Sequence, residues 1–74
     1  MEVREALLTV LRDAGEPLHW TRVQDLALRA GYLDPFAHPD VRRLVQTELH
    51  ALARAGAIVR AGKGVYAAQP VDDA

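Results

Sequence analysis

The residues of this chain with the clearest chemical capacity are cationic and hydrogen-bonding side chains in its second half. Arginine can donate two hydrogen bonds to guanine O6 and N7, glutamine matches adenine N6 and N7, and every cation can contact a phosphate. Side chains of these types on neighbouring elements predict contact with double-stranded DNA. They are Arg42, Arg43, Gln46, Thr47, His50, Arg54, Arg60 and Lys63.

Catalytic chemistry is poorly represented in the same sequence. It contains no Cys and no Ser, and it has no glycine-rich phosphate loop. His19, His38 and His50 do not have the spacing of a zinc site. Adjacent carboxylates occur only at residues 72–73, near the end of the chain. We therefore expect no enzymatic activity, no cofactor and no metal site.

Charge is distributed unevenly along the chain, although the net charge is only −1. Residues 1–37 have four arginines against six acids, which gives −2. Residues 38–66 have five cations against two acids, which gives +3, and residues 67–74 add two aspartates, which gives −2. The segregation favours an anionic partner for the middle segment. The alternative is chance scatter in a short chain.

The first half of the chain predicts two helices separated by a short extended segment. Apolar residues at three- and four-residue spacing predict the first helix over residues 2–14, ending at Gly15. Thr21 and Gln24 match a capping box, so the second helix is expected to begin at Thr21 and to end at Gly31. Its predicted buried face consists of Val23, Leu26, Ala27 and Ala30.

A third helix is predicted over residues 38–55, with Pro39 in its first helical position and Asp40 in its first turn. The preceding residues 35–37 are expected to form a single turn. Glu48 falls within the apolar arc of the third helix, so it needs a partner. Trp20, His19 or an arginine of an earlier helix are the candidates. The apolar arc consists of Val41, Leu44, Val45, Leu49 and Leu52.

Two strands, at residues 57–61 and 65–69, are predicted after the third helix, with a turn at Gly62-Lys63-Gly64. Residues 18–20 form another candidate strand, which could pair with this hairpin. Trp20 is the largest apolar side chain, and we expect it to pack in the core. The alternative is that Trp20 stacks on a base or on a partner protein.

The predicted elements suggest a role for each cation and hydrogen-bonding group. The first half of a recognition helix meets base edges, and later cations meet phosphates. Base contacts are expected from Arg42, Arg43, Gln46 and Thr47. Phosphate contacts are expected from His50 and Arg54 on the helix and from Arg60 and Lys63 on the hairpin, which can reach the backbone or the minor groove. The alternative is that all are ordinary solvated side chains.

Two segments resemble the HARE-HTH family of winged helices. Residues 15–20, GEPLHW, followed by Thr-Arg-Val at 21–23, resemble that family's entry into its second helix, and residues 62–67, GKGVYA, resemble its wing. The resemblance implies a winged helix appended to a restriction endonuclease or a chromatin protein, or one like the folded part of the RNA polymerase delta subunit. It implies DNA binding or docking on protein. His38-Pro39-Asp40 replaces the family's more usual Thr-Pro start of the third helix.

Together these features predict a mainly α fold with a small β-hairpin (α+β), a winged helix-turn-helix of three helices and a two- or three-stranded antiparallel sheet. The domain would span residues 1–69, with residues 70–74 as a flexible tail or the start of a linker. The absence of a long apolar run or a signal peptide favours a cytoplasmic protein, associated with the nucleoid if it binds DNA.

The predicted function is a prokaryotic DNA-binding module, acting as a transcription regulator or as the targeting domain of a DNA-processing protein. Helix 38–55 would enter the major groove, and the hairpin over residues 57–69 would contact the backbone. The alternative is a protein-interaction domain that docks on RNA polymerase or on another protein, or forms a homodimer, without DNA.

Overall fold

A computed structural model of the chain describes residues 1–70. The described elements are α1 (Val3–Ala14), β1 (Leu18–His19), α2 (Trp20–Arg29), α3 (Val41–Arg54), β2 (Val59–Gly62) and β3 (Val65–Ala67). Three helices and a three-stranded antiparallel sheet confirm the predicted α+β winged-helix class. Of the predicted tail, residues 71–74 lie outside the described part. Every helix in residues 1–70 is too short or too polar to cross a membrane.

The core forms where the three helices meet the sheet. Alpha-helical spacing places Leu7 and Leu11 of α1 on one buried face, and the same spacing buries Val45 and Leu49 of α3. Tyr66 of β3 closes the core from the sheet side, with only 2% of its surface exposed. The first helix begins one residue later than predicted and ends at Ala14, before Gly15, as predicted.

The start of α2 differs from the prediction. The helix begins at Trp20, and its N-cap is His19, whose ring Nδ1 accepts the Thr21 backbone N–H at 3.3 Å. Nδ1 also lies 2.8 Å from the Thr21 hydroxyl oxygen. The predicted capping box of Thr21 and Gln24 is wrong because Thr21 already lies inside the helix. Gln24 contributes a buried side-chain oxygen that has no hydrogen-bond partner within the described residues.

Helix α2 also ends too early for the whole of its predicted buried face to reach the core. Val23 and Ala27 are buried and Leu26 is half-buried, but Ala30 is exposed. Ala30 is the C-cap of the helix, and its N–H is bonded to the Leu26 carbonyl. Its side chain therefore lies at the end of the helix, beyond the reach of the core.

The start of α3 lies three residues later than predicted. Asp40 is its N-cap, and the Asp40 carboxylate accepts the Arg43 backbone N–H at 3.0 Å. Pro39 therefore precedes the helix and does not occupy its first position. The predicted turn at residues 35–37 is present, because Ala37 N–H bonds to the Asp34 carbonyl at 3.1 Å.

The sheet has the order β1-β3-β2, and both pairs are antiparallel. Tyr66 pairs with Leu18 of β1 on one side and with Arg60 of β2 on the other. A register shift between Arg60 and Gly62 bends β2 close to the turn. The predicted short strand before α2 thus pairs with the hairpin, although the hairpin strands are shorter than the sequence indicated.

Glu48 has the partner that its position in the apolar arc required. Its carboxylate lies 3.5 Å from Nε of Arg4, an arginine of α1. The Glu48 side chain remains 27% exposed, so the carboxylate lies at the edge of the core and keeps contact with solvent. The pair joins α1 to α3 at the edge of the core.

Candidate nucleic-acid interface

A cleft of about 370 Å³ separates α3 from the β1–α2 junction and the turn of the hairpin. Three residues predicted to contact DNA meet in it: Gln46 and His50 from α3, and Lys63 from the turn. The sequence placed these three on two elements, the third helix and the hairpin, and the fold brings them to one opening. The remaining residues that line the cleft are His19, Trp20, Gly64 and Tyr66.

Gly64 holds the hairpin turn against the start of α2. Its carbonyl accepts the Trp20 backbone N–H at 2.8 Å. Its φ of +69° lies in the left-handed region, and a Cβ at this position would lie 3.1 Å from His19 Nε2 and 3.2 Å from Trp20 Cδ1. Only glycine fits both the backbone conformation and the space. The contact fixes the neighbouring Lys63 backbone relative to α3.

Trp20 combines a packing role with a contact to a predicted DNA-binding residue. It is half-buried and packs against the core cluster, as predicted. The guanidinium carbon of Arg42 lies 5.1 Å from the centroid of the Trp20 ring, which is cation–π distance. The sequence did not reveal this pairing, because only the packing of α2 against α3 brings the two residues together.

The predicted contact residues of α3 fall into two adjacent rows. Arg42, Gln46 and His50 are spaced four residues apart and form the cleft row, on the side of the cleft and Trp20. Their neighbours Arg43, Thr47 and Arg54 are all exposed and form the outer row, which does not line the cleft. The contacts of the hairpin therefore divide the predicted contact residues of α3 between two sides of the helix.

The cleft row also contacts the sheet. The imidazole of His50 lies 6.2 Å, centroid to centroid, from the ring of Tyr66. Arg60 pairs directly with Tyr66, so its side chain leaves the sheet on the face that carries Tyr66. Arg60 is exposed and lies outside the cleft lining.

The ion pairs of the described residues involve none of the predicted contact residues. Arg4 pairs with Glu48, and both Arg22 and Arg29 pair with Asp25 at 3.1 and 2.9 Å. In residues 1–70, no carboxylate lies within 4.0 Å of the cationic groups of the third helix and hairpin. Those cations are Arg42, Arg43, Arg54, Arg60 and Lys63.

Two further residues contribute to the site although the sequence did not predict them there. His19 and Trp20 line the cleft as part of the β1–α2 junction. Residues 18–20 were expected to pair with the hairpin, but the sequence did not predict that His19 and Trp20 would line a cleft together with residues of α3. No protein-family model, curated protein or solved structure matches this chain.

Proposed function

We propose that this domain binds double-stranded DNA, with α3 in the major groove and the β2–β3 hairpin on the adjacent backbone. The observation that carries the proposal is the convergence of Gln46 and His50 of α3 and Lys63 of the hairpin on one opening. Neither element makes an ion pair there with any carboxylate of residues 1–70. The role is that of a transcription regulator or of a targeting domain in a DNA-processing protein, without catalysis.

The dimensions of the domain are compatible with this mode of binding. Helix α3 has 14 residues, which corresponds to about 21 Å, and the major groove is about 12 Å wide and admits one helix. A duplex that contacts both α3 and the hairpin must place a sugar–phosphate strand between them. The cleft between Gln46, His50 and Lys63 is the place for that strand.

The small number of cations limits the affinity of a single domain. If each of the five cations neutralises one phosphate, the logarithm of the binding constant should fall with the logarithm of the salt concentration with a slope of about −4.5. The net charge of −1 adds no general attraction for DNA. A second copy, a partner protein or a tethered second domain would supply the remaining affinity.

The test is a fluorescence anisotropy titration with a labelled duplex at low and moderate salt. Replacing Lys63 by Ala is expected to weaken binding and to make the salt slope shallower by about 1, since one phosphate contact is lost. Arg12→Ala is the matched control, because Arg12 is an exposed cation of α1 that does not line the cleft. Absence of binding at low salt, or equal binding by all variants, contradicts the proposal.

A second candidate function is docking on a protein, and one exposed aromatic side chain favours it. Phe36 is 96% exposed between α2 and α3. Its backbone N–H bonds to the Asp34 carboxylate at 2.9 Å, so the turn that carries it is held in one conformation. A large aromatic on an ordered turn is typical of protein interfaces. RNA polymerase and a second copy of the chain are the candidate partners.

Sedimentation and affinity capture distinguish this second function from DNA binding. Self-association through Phe36 predicts a concentration-dependent dimer that Phe36→Ser abolishes. Docking on RNA polymerase predicts capture of purified polymerase after nuclease treatment, again lost in Phe36→Ser. Monomeric behaviour of the wild-type chain together with no capture of polymerase would rule out both forms.

A further inference from the structure

We propose that Trp20 is a positioning residue for base recognition, which holds Arg42 in place so that this arginine selects a guanine. The assignment rests on the proposed binding of duplex DNA and adds to it the base that is recognised. Arg42 is the residue that would touch the base. Trp20 would act through Arg42.

Trp20 is a fixed platform. Its backbone N–H is bonded to the Gly64 carbonyl at 2.8 Å, and a Cβ on Gly64 would lie 3.2 Å from Trp20 Cδ1, so the turn packs closely against the indole. The indole also packs against the core cluster. A long side chain in contact with such a ring samples fewer rotamers than one in free solvent, so the contact restricts Arg42 before DNA binds.

The contact with the Trp20 ring leaves the N–H donors of Arg42 available. A cation–π contact is an attraction between the charge and the ring, so it does not use up the five N–H donors of the guanidinium. The Arg42 guanidinium lies 5.1 Å from the ring centroid, and no carboxylate of residues 1–70 competes for its donors. The side chain is therefore both oriented and free to donate.

Guanine is the base that matches this donor-only group. In the major groove guanine presents two acceptors, O6 and N7, whereas adenine presents one acceptor beside a donor. Arg42 is the second residue of α3, and the N-terminal part of a recognition helix reaches the base edges. A guanidinium held there by Trp20 can donate to both acceptors of guanine, whereas at adenine one of its donors would face the N6 amino donor.

The experiment is a binding selection from duplexes with a randomised core of about one helical turn, followed by sequencing. Wild type is expected to enrich guanine at one position by roughly 5- to 150-fold, the discrimination of a bidentate arginine. Trp20→Leu and Arg42→Ala are each expected to lose most of this enrichment. Trp20→Phe, which keeps a ring face, is expected to retain much of it.

Two further variants separate positioning from simple structure. Arg42→Gln replaces the donor-only fork by an amide, which matches adenine instead of guanine, so it should lose guanine enrichment while the other cations retain salt-dependent binding of duplex. Adding Trp20→Leu to Arg42→Ala should change enrichment no further, because the two residues act through one contact. Thermal unfolding of each variant identifies those that are folded, and Arg42→Gln changes only an exposed side chain, so it reports on readout even where Trp20→Leu does not fold.

Several outcomes would overturn the assignment. Guanine enrichment that survives in Arg42→Gln, or in folded Trp20→Leu, shows that the pair does not select the base. Wild type that retains duplexes without enriching any base at any position overturns this inference alone. Wild type that retains no duplex at low salt overturns the proposed DNA binding itself, which is a distinct result.

Discussion

The carbonyl of Gly64 accepts the backbone N–H of Trp20 at 2.8 Å, and this bond joins the turn of the hairpin to the first residue of α2. The same hydrogen bond explains why α2 is capped by His19. It holds the chain in the sheet up to residue 19, so the helix can begin only at the next residue. Lys63 and the cleft row of α3 owe their relative placement to this contact.

Replacing Gly64 by Ala is expected to destabilise the domain by about 1–3 kcal/mol, the cost of a non-glycine residue in a strained backbone conformation. The added methyl would also meet His19 Nε2 at 3.1 Å. Urea denaturation monitored by Trp20 fluorescence gives the free energy of unfolding.

Gly62→Ala provides the matched control in the same turn. Gly62 has no positive φ, and a Cβ there would meet only the Val65 side chain at 3.7 Å, which is ordinary contact. We expect this change to alter the free energy of unfolding by less than about 1 kcal/mol. Equal destabilisation by both substitutions would show that the Gly64 contact with His19 and Trp20 does not anchor the turn.

Asp40→Ala tests the start of α3. The Asp40 carboxylate accepts the Arg43 N–H at 3.0 Å, so its loss should cost about 1 kcal/mol of stability, as for other N-caps. Asp13→Ala is the control, because Asp13 is exposed and forms no hydrogen bond or ion pair with its side chain among the described residues. If both variants unfold at the same urea concentration, the helix does not depend on this cap.

Local signals in the sequence predicted most of the fold. The apolar spacing of α1 and the glycine that follows it are contained within one short segment, and so is the Gly-Lys-Gly turn. The start of α3 was misplaced because two local rules competed. Pro39 suits a first helical position and Asp40 suits a cap, and the capping hydrogen bond, which satisfies a free N–H, determines the observed start.

The parts of the candidate site that were not predicted depend on tertiary contacts. Periodicity placed Gln46 and Thr47 together on an outward side, but the cleft that the hairpin and Trp20 form with α3 separates them into two rows. His19 could not be recognised as a cap, because its role follows from the pairing of β1 with β3. Chain segments distant in sequence set these features, and no local pattern records them.

The pair of Arg4 and Glu48 is expected to contribute little to stability. The two groups lie 3.5 Å apart and are 57% and 27% exposed, so solvent screens much of their attraction. A double-mutant cycle with Arg4→Ala and Glu48→Gln should give a coupling energy of about 0–1 kcal/mol. A coupling well above this range would mean that the carboxylate is desolvated more strongly than its exposure indicates.

We expect the cleft row of α3, and not the outer row, to contact DNA. Gln46 lines the cleft opposite Lys63, whereas Thr47 lies exposed on the outer row. If one strand of the duplex passes through the cleft, Gln46→Ala removes a hydrogen-bonding group from the interface and should raise the dissociation constant by about 5-fold or more. Thr47→Ala should change it by less than about 2-fold.

Anisotropy titrations at one fixed salt concentration measure both constants, with thermal unfolding to verify that each variant is folded. Both substitutions remove a polar side chain from the same helix and leave alanine, which favours helix, so neither weakens α3 through its helix propensity. A larger loss from Thr47→Ala would place the duplex on the outer row with Arg43 and Arg54. Lys63 would then contact a different part of the DNA or none, because the cleft separates it from that row.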